Sequence, residues 1–254
     1  MFFRQYLNDE AACASYMFGC KTVGEFAVVD AHIDLVDDYI AAAEAQGSRI
    51  AVVIETHIQA DHVSGLPKLV ERTGATAYMP EGSDAEFEHR ALPDGAVLEL
   101  GNTVIEVIAT PGHAPAHHAY LVTDRRRGEE PWFVLTGDSL LVGDVGRPDL
   151  HAASEETVEE LARTLYRSLH ERLLALPDHL LVYPAHYAGS VCGRGLSGHP
   201  ASSIGFERRH NRALAAGTEE EFVAAVLKDI PPAPERQAEI VAANRSGEPS
   251  AARA

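Results

Sequence analysis

The segment T-H-I-Q-A-D-H at residues 56–62 concentrates side chains that bind metal ions. It contains His57, Asp61 and His62 within one short stretch, and imidazole and carboxylate groups are common ligands of zinc and iron. Gln59 occupies the position between them where a further histidine would be expected. Because a neutral amide is a poor ligand beside imidazole, the segment favours one bound iron ion over two zinc ions.

Four potential ligands each follow a short apolar run. The runs predict β-strands that are mostly buried on both faces, and they lie at residues 50–54, 104–108, 133–135 and 180–183. The ligands that follow them are, in the same order, His57, His113, Asp138 and His186. Strands that end at one edge of a sheet bring loop residues from distant positions together. We therefore expect these four side chains to form one preorganised metal site.

Longer amphipathic segments alternate with the apolar runs and predict helices. Leu161, Leu165 and Leu169, for example, recur at about helical spacing. Ser154 is expected to start a helix and Gly74 to end one. The predicted helices cover residues 34–46, 63–72, 155–176 and 219–227. The alternation of strands and helices predicts an α/β fold.

Composition limits the domain count and the class of partner. The chain has 254 residues, 46% of them hydrophobic, and no Pro-, Ser- or Gly-rich linker, which predicts one domain over residues 1–244. Residues 245–254 are rich in Ala, Arg, Ser and Pro and are expected to be a flexible tail. A formal charge of −17, from 21 basic and 38 acidic residues, argues against nucleic-acid binding, because phosphate backbones need clustered Lys and Arg.

We expect a cytoplasmic protein. The first ten residues lack the extended apolar run of a signal peptide, and no stretch is long enough to cross a bilayer. The three cysteines, Cys13, Cys20 and Cys192, cannot form a full disulfide framework. That count agrees with a reducing compartment.

Several motifs together resemble a known family. H-I-Q-A-D-H, T-P-G-H-A-P, L-T-G-D-S-L-L and Y-P-A-H resemble, in order and spacing, the metal-binding motifs of the metallo-β-lactamase superfamily. The segments V-G-R-P-D-L, A-G-S-V-C-G and L-S-G-H-P-A-S-S-I-G-F-E are similar to those of persulfide dioxygenases within it. The resemblance runs from about Phe2 to Asn244. It implies an αββα sandwich, in which two mixed β-sheets pack face to face with helices outside.

The resemblance also implies a ligand set and a reaction. One Fe(II) per chain would be held by His57, His113 and Asp138, a set of two histidines and one carboxylate that leaves open positions for substrate and O2. The implied substrate is a low-molecular-weight thiol persulfide, glutathione persulfide first, which O2 would oxidise to sulfite and free thiol. Relatives of this kind imply a homodimer or homotetramer.

The donors of a second metal site are still present. They are Asp61, His62 and His186, together with the shared Asp138. In mononuclear relatives these positions, like that of Gln59, are expected to orient the ligands through hydrogen bonds. A second bound metal is the alternative that the sequence leaves open.

Two arginines are candidates for binding the carboxylates of the substrate. Arg147 lies in V-G-R-P-D-L and Arg194 in C-G-R-G-L, and a guanidinium group suits a carboxylate partner. Each could equally be structural and pair with Asp144 or Asp149.

Cys192 and Tyr187 are weaker candidates near the substrate. The thiol of Cys192 lies in a glycine-flanked loop, where it could carry a persulfide or approach the substrate sulfur, with Arg194 favouring its thiolate form. The alternative is a small buried side chain. Tyr187 follows His186 and could line the pocket or simply pack.

The remaining histidines are predicted to be supporting or surface residues. His117 and His118 follow the His113 motif, and one of them could support the site through a hydrogen bond. The others lack donor partners at ligand spacing and are expected on the surface or hydrogen-bonded; they are His32, His89, His151, His170, His179, His199 and His210.

Two other functions are compatible with this scaffold. One is a binuclear zinc thioester hydrolase similar to glyoxalase II, which would activate a water molecule for attack on a glutathione thioester. Gln59 argues against it, because the first zinc would lose a ligand. The other is a non-catalytic carrier of sulfane sulfur, which the intact set of donors makes the weaker alternative.

Overall fold

Two six-stranded mixed sheets form the centre of the computed structural model, which describes residues 1–152, 154–230 and 232–248. The first sheet contains, in spatial order, β1 (Phe2–Asn8), β2 (Cys13–Cys20), β3 (Glu25–Val29), β4 (Arg49–Ile54), β5 (Thr76–Pro80) and β6 (Arg90–Leu92). The second contains β12 (Ser202–Ser203), β11 (Leu181–Pro184), β10 (Phe133–Gly137), β9 (His118–Asp124), β8 (Thr103–Ala109) and β7 (Val97–Leu100). Strands β3 to β6 are parallel, as are β10 and β11, and the other neighbours are antiparallel.

Helices cover the outer faces of both sheets. They are α1 (Val36–Glu44), α2 (Leu66–Thr73), α3 (Glu155–Arg167), α4 (Ile204–His210), α5 (Glu219–Val226) and α6 (Gln237–Ser246). The α3 helix begins where the side chain of Ser154 accepts a hydrogen bond from the Thr157 amide, and it continues as a π-helical turn over Ser168–Leu173. The α2 helix ends at Gly74, whose φ of 69° is left-handed. The predicted start and stop residues are therefore confirmed.

Successive side chains of the strands point to opposite faces of each sheet, and they pack into three separate hydrophobic layers. Tyr16 and Phe18 of β2 pack between the two sheets, whereas Met17 packs toward α1 and α2. Phe133 of β10 likewise faces the other sheet, and Val134 packs toward α3 and α5. Because each sheet is covered on both faces, its strands are apolar throughout. This is the αββα sandwich that the motifs imply.

The predicted helices and strands agree with the structure in type, but several of their first or last residues differ. Each of the four predicted strands lies within an observed strand or overlaps one, in β4, β8, β10 and β11. The predicted helix over 155–176 changes to π-helical geometry after Arg167. The α6 helix includes Arg245 and Ser246, which the sequence assigns to the tail. Residues 249–254 of that tail lie outside the described residues.

Across residues 1–152, 154–230 and 232–248, every helix is too short or too polar to span a lipid bilayer.

Candidate metal centre

The four predicted ligands meet at the ends of strands from both sheets. His57 lies three residues beyond β4 in the first sheet, and the other three follow β8, β10 and β11 in the second. The Oδ2 atom of Asp138 lies 3.9 Å from Nε2 of His57 and 3.4 Å from Nε2 of His113. Its Oδ1 atom lies 2.7 Å from Nδ1 of His186. All four side chains are buried.

His113 presents an unprotonated nitrogen to the centre of the site. Its Nδ1 atom lies 2.8 Å from the backbone carbonyl oxygen of Arg147. A carbonyl oxygen only accepts hydrogen bonds, so Nδ1 carries the proton and Nε2 carries the lone pair. Burial lowers the pKa of His113, which favours this neutral form.

Two buried acceptors therefore face each other without a donor between them. Nε2 of His113 and Oδ2 of Asp138 lack a hydrogen-bond partner among the described residues. Burial alone would raise the pKa of Asp138, but the charge and hydrogen bond of His186 outweigh it and keep the carboxylate ionised. Facing buried acceptors are costly unless a cation lies between them. The donor set thus fits a metal ion.

His57 completes this half of the site. Its Nδ1 atom lies 2.9 Å from the hydroxyl of Thr56, which in turn donates to both carboxylate oxygens of Asp30 at 3.0 Å. Burial lowers the pKa of His57 well below its usual value, so the ring stays neutral. Nε2 is left free to face Asp138, as metal ligation requires.

Asp61, His62 and His186 form the other half. Oδ1 of Asp61 lies 3.0 Å from Nδ1 of His62, and its Oδ2 lies 2.8 Å from Nε2 of His186, as a close ion pair rather than an aligned hydrogen bond. Burial alone would lower the pKa of His186. The negative charges of Asp138 and Asp61 have the larger, opposite effect, so the pKa of His186 lies well above its usual value. An imidazolium at His186 would pair with both carboxylates, and the three side chains of this half also lie close enough together to hold a metal ion.

Gln59 is directed toward the first sheet. Its Nε2 atom donates to Oδ1 of Asp30 at 3.3 Å, and its backbone oxygen accepts from Asn244 at 2.9 Å. Asp30 is buried, which raises its pKa to about 6, and its φ of 53° is unusual for a residue other than glycine. Position 59 thus supports the floor of the site. Sequence patterns did not single out Asp30.

His151 is a correction to the sequence-based expectation. It was expected on the surface or hydrogen-bonded, but it offers a ring nitrogen within 4.8 Å of those of His57 and His113. Its Nε2 atom is buried and lacks a partner among the described residues. The only signal in the sequence was its position directly after the V-G-R-P-D-L segment.

His117 is the one of the two histidines after the His113 motif that supports the site through hydrogen bonds. Its Nε2 atom accepts a hydrogen bond from the Asp138 amide at 3.0 Å, and its Nδ1 lies 2.9 Å from the hydroxyl of Thr110. It therefore fixes the backbone from which the Asp138 carboxylate projects. His118, the first residue of β9, donates its amide to the oxygen of Thr56.

The candidate arginines have protein partners. Arg147 is buried and forms two hydrogen bonds of 2.7 Å to the carboxylate of Asp149. Arg194 donates to the backbone oxygens of Ala225, at 3.1 Å, and Lys228. Arg147 thus has the aspartate pairing that the sequence left open as its structural alternative, and the Arg194 guanidinium contacts backbone carbonyls.

Cys192 and Tyr187 are both buried. The Sγ atom of Cys192 lies 3.6 Å from Oδ2 of Asp61, and burial raises the pKa of this thiol well above its usual value. This burial agrees with the alternative of a small buried side chain, and the Arg194 guanidinium contacts the carbonyls of Ala225 and Lys228. The hydroxyl of Tyr187 donates to Asp9 at 2.9 Å, and its ring packs in the core between the sheets.

A cavity of about 520 Å³ adjoins the half of the site that contains His57 and His113. Its lining includes Ile58, Ala114, Leu150, His151, Gln237 and Arg245. A second cavity of about 430 Å³ adjoins Asp61 and His62 on the other side. The first is large enough for a small thiol.

Comparison with known proteins assigns the family. The model of the Metallo-beta-lactamase superfamily matches residues 9–186. The chain belongs to the metallo-β-lactamase superfamily. Within that superfamily, it is 27% identical over 236 residues to the mitochondrial persulfide dioxygenase ETHE1 of Bos taurus, covering 92% of this chain and 83% of that protein.

Two solved structures share this metallo-β-lactamase fold over nearly the whole chain. ETHE1 from Myxococcus xanthus superposes with a TM-score of 0.84 at 31% identity, covering 98% of this chain and 100% of that one. A metallo-beta-lactamase from Staphylococcus aureus subsp. aureus COL superposes with a TM-score of 0.90 at 31% identity, covering 97% of this chain and 72% of that one.

Proposed function

We propose that the protein is a mononuclear iron dioxygenase of thiol persulfides. The balanced reaction is RSSH + O2 + H2O → RSH + SO3²⁻ + 2H⁺, in which the terminal sulfur loses four electrons and O2 gains them. The likeness to persulfide dioxygenases supports this activity. The observation that carries the single-metal proposal is the side chain at position 59, which is the amide of Gln59 rather than an imidazole and whose Nε2 donates to Asp30.

His57, His113 and Asp138 would hold the iron. His113 and Asp138 present unpartnered buried atoms to one another, and Nε2 of His57 lies 3.9 Å from Oδ2 of Asp138. Bound Fe(II) would supply open positions at which O2, which reacts poorly with closed-shell sulfur compounds, meets the substrate sulfur. Asp61, His62 and His186 would orient Asp138 by their mutual hydrogen bonds and ion pairs.

The cavity beside His57 and His113 would bind the thiol part of the substrate. Its wall has apolar residues such as Ile58 and Leu150, and polar groups at Gln237 and Arg245. Holding the sulfur end of the substrate beside the metal ligands would remove most of the entropy cost of bringing the substrate and O2 together. Glutathione persulfide is the substrate that we propose first, in line with the family.

The four residues first predicted to bind substrate would have more limited roles. Arg147, Arg194 and Tyr187 have protein partners that would hold the loops around the site. Cys192 offers its sulfur within 4.8 Å of ligand atoms of His113 and Asp138. We propose that it forms a neutral wall beside the substrate sulfur, since burial keeps its thiol protonated.

We further propose a reducing, cytoplasmic location and a homodimer or homotetramer. All three cysteines are free thiols, which supports such a compartment. Size-exclusion chromatography with light scattering would test the assembly.

The ratio of products to O2 tests the reaction itself. Protein reconstituted anaerobically with Fe(II) is mixed with glutathione persulfide and a known amount of O2, and sulfite and glutathione are measured. We expect one sulfite and one glutathione for each O2 consumed, and none above background for Asp138→Asn. Sulfite without O2 consumption, or glutathione release at an equal rate without O2, would contradict the proposal.

A further inference from the structure

A third imidazole lies at the first half of the metal site. The ring centroid of His151 is 6.0 Å from that of His57 and 5.7 Å from that of His113. Each of the three rings offers a nitrogen within 4.8 Å of the other two. Nitrogens that share one metal ion at about 2.1 Å lie about 3 to 4.2 Å apart, so three nitrogens within 4.8 Å of one another need to move by less than about 1 Å to converge on one ion.

The buried nitrogen of His151 has no other explanation within the fold. Its Nε2 atom is unpartnered among residues 1–152, 154–230 and 232–248. A buried polar atom is normally hydrogen-bonded, and an exception indicates a water, an ion or a functional role. Neither the ring of His57 nor that of His113 forms a hydrogen bond to it.

The loop that carries His151 is fixed to the site at several points. The Arg147 carbonyl accepts from Nδ1 of His113, and the Arg147 amide donates to the oxygen of Cys192 at 3.1 Å. Leu150 is buried, and its carbonyl accepts from the side chain of Gln237. His151 is therefore held next to the ligands by its own loop rather than left on a free surface.

We propose that His151 is a fourth protein ligand of the same metal ion, replacing the imidazole that Gln59 does not supply. The first site would then consist of three imidazoles and one carboxylate, from His57, His113, His151 and Asp138. The proposal of a fourth ligand rests on the proposed function in one respect only, namely that the bound metal is iron.

Four protein ligands have different consequences for different metals. An ion with six positions keeps two of them vacant, which is the minimum that a substrate sulfur and O2 need. A tetrahedral zinc ion would be saturated, as in structural zinc sites. His151 also lines the 520 Å³ cavity, so this ligand would lie at the border between the metal site and the cavity in which we propose that the substrate binds.

The experiment measures metal binding in the absence of persulfide and O2. Apo protein is titrated anaerobically with Co(II) and, separately, with Fe(II), for wild type, His151→Ala, His151→Gln and the control His179→Ala. His179 is exposed and distant in sequence from the ligands. X-ray absorption of the Fe(II)-loaded wild type and of the Fe(II)-loaded His151 variants counts the imidazole ligands directly.

We expect three imidazoles in the wild type and two in either His151 variant. The dissociation constant for both metals should rise at least about tenfold in the His151 variants, with the visible spectrum of Co(II) changed, while His179→Ala behaves as wild type. Thermal unfolding of the apo proteins shows whether each variant is folded.

Two imidazoles in the wild type, or unchanged dissociation constants in folded His151 variants, would overturn the proposal. Because no substrate is present, failure here is distinguishable from failure of the dioxygenase proposal, which the product ratio tests in the wild type.

Discussion

The Nδ1–H group of His113 donates to the backbone oxygen of Arg147 at 2.8 Å, and this bond sets the direction of the opposite ring nitrogen. Because the acceptor belongs to the backbone, the orientation of the ring depends on the path of the chain at residues 146–147 and only indirectly on the side chain of Arg147. A side chain fixed in this way would be preorganised for the metal ion that we propose.

Gly146→Ala should therefore remove the metal. A Cβ atom at this position would overlap the carbonyl oxygen of Asp138 and lie 2.9 Å from Nδ1 of His113. Forcing backbone apart in a packed site typically costs about 1–3 kcal/mol and would separate His113 from Arg147. We expect less than a tenth of the wild-type iron content and a lower melting temperature of the apo protein. Gly198→Ala is the control, because nothing lies within 4 Å of its Cβ position; equal iron content in the two variants would refute this prediction.

Asp138→Asn and Asp61→Asn should differ sharply. Asp138 has an unpartnered oxygen that faces two imidazoles, whereas both oxygens of Asp61 lie within 3.0 Å of a histidine nitrogen. We expect Asp138→Asn to lose iron binding and Asp61→Asn to weaken it by about 10- to 100-fold, as for residues that support ligands. Metal analysis and Co(II) titration would measure both. A fall from two ions to one in Asp61→Asn would instead reveal a binuclear site.

The three thiols should react at different rates. Hydrogen bonds from Asn102, Val23 and Thr22 outweigh the effect of burial and lower the pKa of Cys20 to about 7. Burial raises the pKa of Cys13 to about 12, and that of Cys192 above its usual value. Because the thiolate is the reactive form, iodoacetamide at pH 8 should label Cys20 first. Peptide mass spectrometry over time would follow this order.

Denatured protein supplies the control for this experiment, since all three cysteines should then react alike. Labelling of Cys192 before Cys20 in the native protein would be inconsistent with the buried, protonated thiol that we describe beside the metal site.

His118 should make stability dependent on pH. Burial lowers its pKa to about 4 in the native state, whereas an unfolded histidine has a pKa of about 6.5. Between these values the unfolded chain binds the additional proton, so stability is retained above pH 6.5 and lost as the pH falls toward 4. His118→Gln should lack this component, on the order of 2 kcal/mol after allowance for partial solvent contact.

Urea unfolding of the apo proteins at pH 7.5 and pH 5 would measure the His118 effect. The exposed His179→Gln variant should keep the wild-type difference between the two pH values. If His118→Gln also kept it, the assignment to His118 would be wrong.

The placement of the four candidate ligands at strand ends could be predicted from the sequence, because it depends on local patterns. Apolar runs define buried strands, and His57, His113, Asp138 and His186 follow them at short distances. The caps at Ser154 and Gly74 were likewise predictable from local chemistry.

His151 was not predictable by the same reasoning. Its place beside the ligands depends on the return of the loop at 145–152 onto His113 and on contacts with Cys192 and Gln237, which are distant in the sequence. The direction of the Arg194 side chain, toward the carbonyls of Ala225 and Lys228, depends in the same way on tertiary packing. Spacing along the chain carries no information about such contacts.

Oxygen uptake tests the central claim most directly. Iron-loaded protein in an oxygen electrode receives either glutathione persulfide or a glutathione thioester, and the same additions are repeated under anaerobic conditions with release of free thiol as the readout. We predict rapid O2 consumption with the persulfide, none with the thioester, and no thioester cleavage without O2. Anaerobic thioester cleavage by protein that contains two zinc ions, with no O2 uptake on persulfide, would contradict the account.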